Sequence, residues 1–432
     1  MEAGPESLEP LTGTPTAEGI ERTADPHPRA VPAGESTASR AWLGRLAAAL
    51  ARARFAILVY LGSRALLLAV ALVDGSLRHH SLLRELSNWD GLWYRSIANL
   101  GGAHGWYPTH VLHVQSNLGF FPFYPLVVWV VAQPVHWISG HAGIYSVTLA
   151  GVLVSTVGGL FATVLVEPLA GDWWGERAGR RAALLFCMFP GSVVFSMLYG
   201  EGLAIPLVVG SLLALQRRRW VLAGILAATA TATVPEAAVL VVVCAVSATL
   251  ELRRAGWRER SARRSLAAPV LAPIGLIAVA VFFWAWTGSP FANLIAQRDG
   301  WKERSDPIAL VHLAKRLAHQ ISFSHFNHPT INLNLVVGLA GAIVLLVLLV
   351  LMIKAWRTVS VEALVWTLGI SLIAVTAEYT PPNPRLLITA FPAVLVPAYY
   401  LKRRGFAAVL VVYGVLLAGL SALTFVGLTL RP

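Results

Sequence analysis

The feature that most constrains this chain is a series of long apolar runs separated by short basic segments. With 56% hydrophobic and only 13% charged residues, the composition is typical of a protein that crosses a membrane many times. We therefore predict an all-α polytopic membrane protein, because a helix pairs its own backbone groups inside lipid. The eleven runs lie near residues 54–74, 143–168, 182–198, 202–216, 220–234, 237–250, 265–287, 334–353, 361–377, 384–400 and 406–428.

The positions of lysine and arginine between the runs predict how the chain is oriented. Cytoplasmic loops of membrane proteins retain positive charge. Eleven spans place six basic clusters on one side, with the N-terminus cytoplasmic and the C-terminus outside. The net charge of +12 is then explained by anchoring, and no nucleic-acid partner is predicted. The clusters are Arg40 to Arg54, Arg177 to Arg181, Arg217 to Arg219, Arg253 to Arg264, Lys354 with Arg357, and Lys402 to Arg404.

One further apolar segment, 120–137, is excluded from the count of spans. If it crossed the membrane, the cluster from Arg177 to Arg181 would fall on the wrong side. Pro122, Pro125 and Pro134 are expected to break a helix there. We predict an interfacial or re-entrant segment, with a full span as the alternative.

The domain organisation follows from the same pattern. Residues 1–38 have almost no apolar pattern and are predicted to be a disordered cytoplasmic tail. Residues 39–432 are predicted to form a single multi-span domain. Its large first outer loop, 75–142, is expected to contain interfacial helices, and 288–333 is the second long outer loop. A functional site is expected in these loops and at the outer ends of the spans.

The first outer loop carries an acidic residue among aromatic ones, in the sequence NWDGLWY. Asp90 in this position is suited to act as a general base for an acceptor hydroxyl. The alternative is a helix cap in which Trp89 and Tyr94 anchor the chain at the membrane surface.

Three more charged residues fall at the outer ends of spans, and one lies within a span. Glu201 is a candidate site residue, since an acid at a membrane rim is often functional, or else it caps the following helix. Glu236 occupies the equivalent position in the next outer turn, where capping is favoured. Arg385 is expected to contact a phosphate. Arg64 lies within the first span. Three roles stay open for it: a buried ion pair, a contact with a lipid headgroup, or a local structural role.

The second outer loop offers residues suited to sugar recognition. Gln297 can hydrogen-bond to hydroxyl groups, and Trp301 can pack on a sugar ring. An interfacial helix explains the same residues equally well. His104, His110 and His113 match no strong metal-binding signature, so no metal ligand is predicted.

Together these motifs resemble the family of membrane mannosyltransferases typified by the second mannosyltransferase of glycosylphosphatidylinositol assembly, including its bacterial relatives. The resemblance extends over most of the chain through the order and spacing of its pieces. They are Trp89 to Ala98, Gln115 to Val127, Phe189 to Leu203, the segment with Gln297 and Trp301, and NPRLLITAFP from Asn383. This chain has Val234 and Asn88 where relatives often carry basic residues.

The resemblance implies a GT-C-like fold and a glycosyltransferase. Mannose would pass from a polyprenyl-phosphate donor to a lipid, glycan or protein acceptor on the extracytoplasmic face, in one inverting displacement. By the same resemblance Asp90 is the catalytic residue. The residues assigned to substrate binding are Trp89, Tyr94, Gln115, Tyr199, Glu201 and Arg385. No cofactor is implied beyond the donor, and metal dependence is left open.

Two alternatives to mannosyl transfer stay open at this point. An enzyme of the same architecture could use another lipid-linked sugar, such as glucose, arabinofuranose or aminoarabinose. A lipid or sugar transporter would also use acids at the rim and broken helices, although paired repeats are not evident in the sequence.

Overall fold

The computed structural model describes residues 34–100, 106–140, 143–323, 332–425 and 430. It contains two units, Met1–Arg52 and Ala53–Pro432. In the first unit the described chain is helical from Gly34 onward. Most of the predicted tail, residues 1–33, therefore lies outside the described residues, and its last five residues belong to a helix.

The described chain is built of helices. Short 3₁₀ segments occur at Asn117–Gly119, Pro190–Ser196 and Pro235–Ala238, and a π-helical turn at Ala296–Gly300. In the part that the structure describes there is no β-strand, only an isolated bridge between Ser305 and Ala377. The α-helices are α1 (Gly34–Arg78), α2 (Leu82–Glu85), α3 (Asp90–Ala98), α4 (Phe123–Ser139), α5 (Ile144–Trp174), α6 (Glu176–Met188), α7 (Glu201–Gln216), α8 (Trp220–Thr233), α9 (Val239–Ala255), α10 (Arg260–Arg264), α11 (Ala267–Leu271), α12 (Ile274–Thr287), α13 (Ala292–Ile295), α14 (Ala309–Phe323), α15 (Leu333–Lys354), α16 (Val361–Thr376), α17 (Pro384–Thr389), α18 (Phe391–Leu395), α19 (Pro397–Tyr400) and α20 (Arg403–Phe425).

Within the described residues, each of the eleven predicted runs falls mainly on helical structure. Among the described residues, six helices are long and apolar enough to cross a membrane, and a bent pair makes a seventh. Four shorter apolar helices account for the remaining runs. The all-α polytopic membrane class is therefore confirmed. The six long helices are Leu50–Arg78, Ile144–Trp174, Pro235–Ala255, Ala262–Thr287, Leu333–Lys354 and Arg403–Phe425.

The run 384–400 is divided into three short helices, α17, α18 and α19. Pro384, Pro392 and Pro397 each stand in the first turn of one of them. A proline has no backbone N–H to continue the preceding helix but is well accepted at the start of the next one. This run is therefore segmented, unlike the long spans.

The segment 120–137 forms one helix, α4, of 17 residues and about 26 Å in length. Pro122 is its N-cap residue and Pro125 lies in its first turn, where an N–H has no partner within the helix. Pro134 lies inside it without ending it. The expectation that these prolines break the helix is wrong, and a re-entrant position stays a prediction. The interfacial position remains a prediction, with a full span as its alternative.

A buried arginine stabilises the break between α6 and the 3₁₀ segment that follows it. Helix α6 and the 3₁₀ segment Pro190–Ser196 are bent by 74°. The Arg64 guanidinium from α1 is buried there and donates to the carbonyls of Cys187 and Ser192, at 3.3 and 2.7 Å. These carbonyls lie around the end of α6. Of the three roles left open for Arg64, the structure shows the local structural one.

Candidate functional site

All nine residues predicted for the site line one cavity of about 440 Å³. The cavity lies between the predicted outer loops 75–142 and 288–333 and the adjacent ends of several helices. The structure thus brings together segments that are far apart in the sequence. The nine residues are Trp89, Asp90, Tyr94, Gln115, Tyr199, Glu201, Gln297, Trp301 and Arg385.

The charged centre of the cavity is a guanidinium held between two carboxylates. Arg385 bonds through Nη1 to Oδ2 of Asp90 and through Nε to Oε1 of Glu201. Asp90 and Glu201 are the first residues of α3 and α7, where the helix dipole favours an anion.

The two carboxylates differ in their access to solvent. The side chain of Asp90 is 26% exposed, whereas that of Glu201 is 2% exposed. Oε2 of Glu201 is buried and has no hydrogen-bond partner among the described residues. An unpartnered buried carboxylate oxygen is costly, so a ligand hydroxyl or a water that reached it would be bound favourably.

Tyr199 supports this ion pair from below. The guanidinium of Arg385 lies over the ring of Tyr199, and the Cζ atom of Arg385 is 4.9 Å from the ring centroid. Its hydroxyl accepts from the backbone N–H of Asp90 at 3.2 Å and donates to the carbonyl of Asn88 at 3.4 Å. Burial raises the pKa of this hydroxyl well above its ordinary value, so it remains a donor at neutral pH. Tyr199 therefore fixes both Arg385 and the start of α3.

The backbones at Gly191 and Pro384 approach each other closely, which brings Arg385 near the other site residues. The Cα of Gly191 faces the carbonyl of Pro384, and a Cβ there would lie 1.9 Å from that oxygen. Only glycine allows this contact. The side chain of Asn383 caps α17 by accepting from the N–H of Leu386 at 3.0 Å. Together these contacts fix the first turn of α17, which carries Arg385.

Aromatic rings form one wall of the cavity. Trp93 and Trp301 meet edge to face with centroids 5.1 Å apart, and Phe120 lies 5.3 Å from Trp301. Tyr94 contacts Phe120 at 4.9 Å, and burial raises the pKa of Tyr94 well above its ordinary value. Such a wall suits the apolar face of a sugar ring.

The polar ends of two predicted sugar-binding residues are bonded to the protein itself. Nε2 of Gln297 donates to the carbonyl of Gly119 at 2.7 Å, and Nε1 of Trp301 donates to that of Ser116 at 3.1 Å. These bonds join the two outer loops. Gln115 is exposed at the edge of the cavity. Gln297 and Trp301 therefore position the wall, while the Trp301 ring remains available for contact.

The sequence analysis did not assign several residues that line the cavity. Glu236 is half-buried in the first turn of its 3₁₀ segment, and capping had been favoured for it. The Glu303 carboxylate accepts from the N–H groups of Tyr379 and Thr380, at 3.1 and 3.0 Å. The signal for Glu236 was its similarity in placement to Glu201. For Glu303 and Trp93 there was no signal beyond their proximity to predicted residues.

The histidines of the first outer loop do not form a metal site in the part of the chain that the structure describes. His104 lies outside the described residues. Nδ1 of His113 is 2.7 Å from Oδ2 of Asp299, which also pairs with Arg298. Arg298 first, and then His113, hold the pKa of Asp299 below its ordinary range. This exposed cluster is a second link between the outer loops.

Fold and site together define a multi-pass membrane protein with an ionic cavity walled by aromatic rings. No protein-family model matches the sequence. No curated protein matches it either.

Solved structures with partial similarity exist. One is ArnT from Cupriavidus metallidurans in the apo state, which is 16% identical. The match covers 81% of this chain and 62% of that chain, with a TM-score of 0.47. Another is the oligosaccharyltransferase from Archaeoglobus fulgidus in the apo form, which is 14% identical. The match covers 83% of this chain and 56% of that chain, with a TM-score of 0.47. This chain thus spans less than two thirds of either protein. At TM-scores below 0.5 these similarities assign neither a family nor an activity to it.

Proposed function

We propose that this chain is a GT-C-like membrane glycosyltransferase. In this proposal it transfers mannose from a polyprenyl-phosphate-linked donor to a lipid, glycan or protein acceptor. The observation that carries the proposal is the Arg385 guanidinium beside the solvent-accessible carboxylate of Asp90 in one cavity. One group can stabilise a leaving phosphate while the other accepts a proton. The sequence resemblance to membrane mannosyltransferases supports the same assignment.

The proposed role of Asp90 is general base. Its Oδ2 is bonded to Arg385, while Oδ1 has no hydrogen bond within the described residues. Oδ1 would accept the proton of the acceptor hydroxyl as that oxygen bonds to the anomeric carbon. The bond from the anomeric carbon to the donor phosphate oxygen breaks in the same step, with inversion. The carboxylate becomes a carboxylic acid, and the polyprenyl phosphate leaves with the electron pair.

The proposed role of Arg385 is to stabilise the charge that develops on the leaving phosphate. A guanidinium has five N–H groups, and here the carboxylates engage Nε and Nη1. Nη2 makes no hydrogen bond within the described chain and would be the first nitrogen to contact the phosphate. Because Glu201 and Asp90 already hold the guanidinium in place, little ordering is needed when the donor binds.

The proposed sugar position is against the aromatic wall. A volume of about 440 Å³ is within the range of ordinary small-ligand sites, roughly 300 to 1,000 Å³. Trp93 and Trp301 offer apolar ring faces, and the carboxylates offer hydrogen-bond acceptors for hydroxyl groups. These groups do not distinguish mannose from its stereoisomers, so transfer of another lipid-linked sugar is tested together with mannose.

The proposed membrane orientation places the cavity on the extracytoplasmic face. The cavity lies next to the long loop 75–142, in which Arg78, Arg84 and Arg95 are well separated and form no basic cluster of the kind that marks cytoplasmic loops. A cysteine introduced at exposed His110 would then be labelled by a membrane-impermeant thiol reagent in intact cells. Labelling only after the cells are lysed would contradict this orientation.

The experiment that tests the function is transfer of labelled sugar in membranes containing the full chain. Polyprenyl-phosphate-mannose and polyprenyl-phosphate-glucose are supplied in parallel, and label is followed into lipid-extractable and insoluble fractions. We expect mannose transfer that Asp90→Asn abolishes. Asp306→Asn is the matched control, because Asp306 bonds to the Ile308 N–H and to His312 outside the cavity.

The possible outcomes separate the parts of the proposal. No transfer from either donor above empty membranes would contradict a glycosyltransferase. Transfer of glucose alone would overturn the choice of sugar and leave the class intact. Full mannose transfer by Asp90→Asn would overturn the assignment of the base.

A further inference from the structure

A second cavity lies at the opposite end of α8 from the candidate site. Val234, directly after α8, lines the candidate site, whereas Trp220, its first residue, lines the second cavity, which also measures about 440 Å³. The 14 residues of α8 separate the two ends by about 21 Å. This is most of the thickness of a bilayer core, roughly 30 Å. In the predicted orientation the second cavity lies toward the opposite membrane surface, where the basic clusters Arg217 to Arg219 and Arg253 to Arg264 fall.

The polar lining of the second cavity consists of four arginines: Arg218, Arg219, Arg263 and Arg264. Arg218 pairs with Glu251 at 3.4 Å. The other three are exposed and pair with no carboxylate in the described part of the chain. The cavity thus concentrates unneutralised guanidinium groups at the N-terminus of a 14-residue helix, where the dipole adds further positive potential.

The apolar lining continues away from the arginines along the membrane-facing surface. Val221 and Leu222 line the cavity and are 55% and 43% exposed. On the adjoining helices α11 and α12, Val270 is 67% and Ile274 is 47% exposed. An occupant with a phosphate at one end and hydrocarbon at the other satisfies both parts.

We propose that this cavity, which we call the arginine groove, binds the headgroup of an anionic phospholipid of the bilayer. The phosphate would bond to Arg219, Arg263 and Arg264, and the acyl chains would lie along Val221, Leu222 and Val270. Charge complementarity favours an anionic lipid over a zwitterionic one, whose own cation would meet the arginines. The exposed apolar residues favour a lipid over free phosphate or a soluble nucleotide. This proposal does not depend on the proposed glycosyltransferase.

Basic residues also anchor cytoplasmic loops, so the test must separate a site from general loop charge. The purified full chain is titrated in detergent with phosphatidylglycerol or phosphatidylcholine, and bound lipid is counted by native mass spectrometry. The groove variant is Arg263→Gln with Arg264→Gln. Its matched control is Arg258→Gln with Arg260→Gln, which removes the same charge from the same loop outside the groove.

We expect wild type to bind one phosphatidylglycerol saturably and phosphatidylcholine at least about 10-fold more weakly, since each basic contact contributes appreciably. The groove variant loses about 10-fold or more in affinity, and the control stays within about 2-fold of wild type. Equal losses in both variants would overturn the groove as the site. Wild type that binds both lipids alike, or without saturation, would overturn it even if the groove variant did not fold. Binding of free inorganic phosphate as tightly as the lipid would assign the groove to a soluble anion.

Discussion

Arg64 and Arg385 both bond to oxygen atoms of the protein, but the oxygens around Arg64 are neutral and those around Arg385 belong to carboxylates. Arg64 donates all five of its N–H groups to neutral oxygens, namely two carbonyls and three serine hydroxyl contacts. It is 8% exposed. Arg385 contacts two carboxylates, is 23% exposed and lines a cavity. A fully satisfied guanidinium is suited to hold structure, whereas one with a nitrogen left over is suited to bind a ligand.

The two surroundings are also physically connected. Arg64 bonds to both atoms of Ser192 that can accept, the carbonyl at 2.7 Å and the hydroxyl at 2.9 Å. The neighbouring Gly191 packs against Pro384, directly before Arg385. The same short 3₁₀ segment leads on to Tyr199 and Glu201. Arg64 therefore positions the 3₁₀ segment that packs against Pro384, the residue directly before Arg385.

The largest expected effect on the rate of sugar transfer comes from replacing Asp90, the proposed general base. Asp90→Asn keeps the size of the side chain and removes its ability to accept a proton. We expect the rate of sugar transfer to fall by about 10²- to 10⁴-fold, because general-base catalysis contributes on that order. The measurement is the initial rate of labelled sugar transfer at saturating donor. A rate within about 2-fold of the Asp306→Asn control would exclude Asp90 as the base.

The next effect concerns the leaving phosphate. Arg385→Lys keeps the charge but cannot contact both carboxylates and still present a free nitrogen in a planar fork. We expect transfer to fall by about 10²-fold, in the range measured for single groups that stabilise developing charge. Because the buried Glu201 carboxylate can lose part of its pairing in this variant, the rate is expressed per folded molecule.

The control for this variant is Arg316→Lys, an exposed arginine that donates to the carbonyl of Glu378 and does not line the cavity. If Arg385→Lys lost stability while each folded molecule kept its activity, Arg385 would be a structural residue like Arg64. The contrast between the two arginines would then be wrong.

A third effect should appear in stability. Arg64→Lys removes two of the five N–H donors and leaves buried oxygens around Ser192 unsatisfied. Each unsatisfied buried group costs about 1–3 kcal/mol, so we expect a clear drop in the temperature at which the purified protein loses its folded form on heating. Arg78→Lys is the control, since Arg78 lies on the same helix but is partly exposed. Equal unfolding temperatures for the two variants would contradict the structural role of Arg64.

The sequence predicted the spans well because hydrophobic length is a local property. It also selected nine residues that line one cavity, because charged and aromatic residues at the outer ends of apolar runs are unusual. It did not predict that α4 runs through Pro134, since packing around a helix can offset the lost hydrogen bond. It favoured a capping role for Glu236, because an acid after proline is a normal helix start. The partners of Arg64 depend on contacts across more than 120 residues, which local patterns do not contain.

The smallest effect should come from the exposed link between the outer loops. Arg298 and His113 hold the pKa of Asp299 below its ordinary range. Such a group stabilises the folded state above the ordinary carboxyl pKa of about 3.9, and this contribution is lost as the pH falls through the lower folded-state pKa. At neutral pH we therefore expect Asp299→Asn to increase hydrogen exchange in residues 106–119, after correction for intrinsic rates, while sugar transfer changes by less than about 2-fold. Near pH 3 the difference between variant and wild type should persist, because the depressed pKa keeps Asp299 ionised there. A difference that has vanished by pH 5 would contradict a link carried by the Asp299 carboxylate.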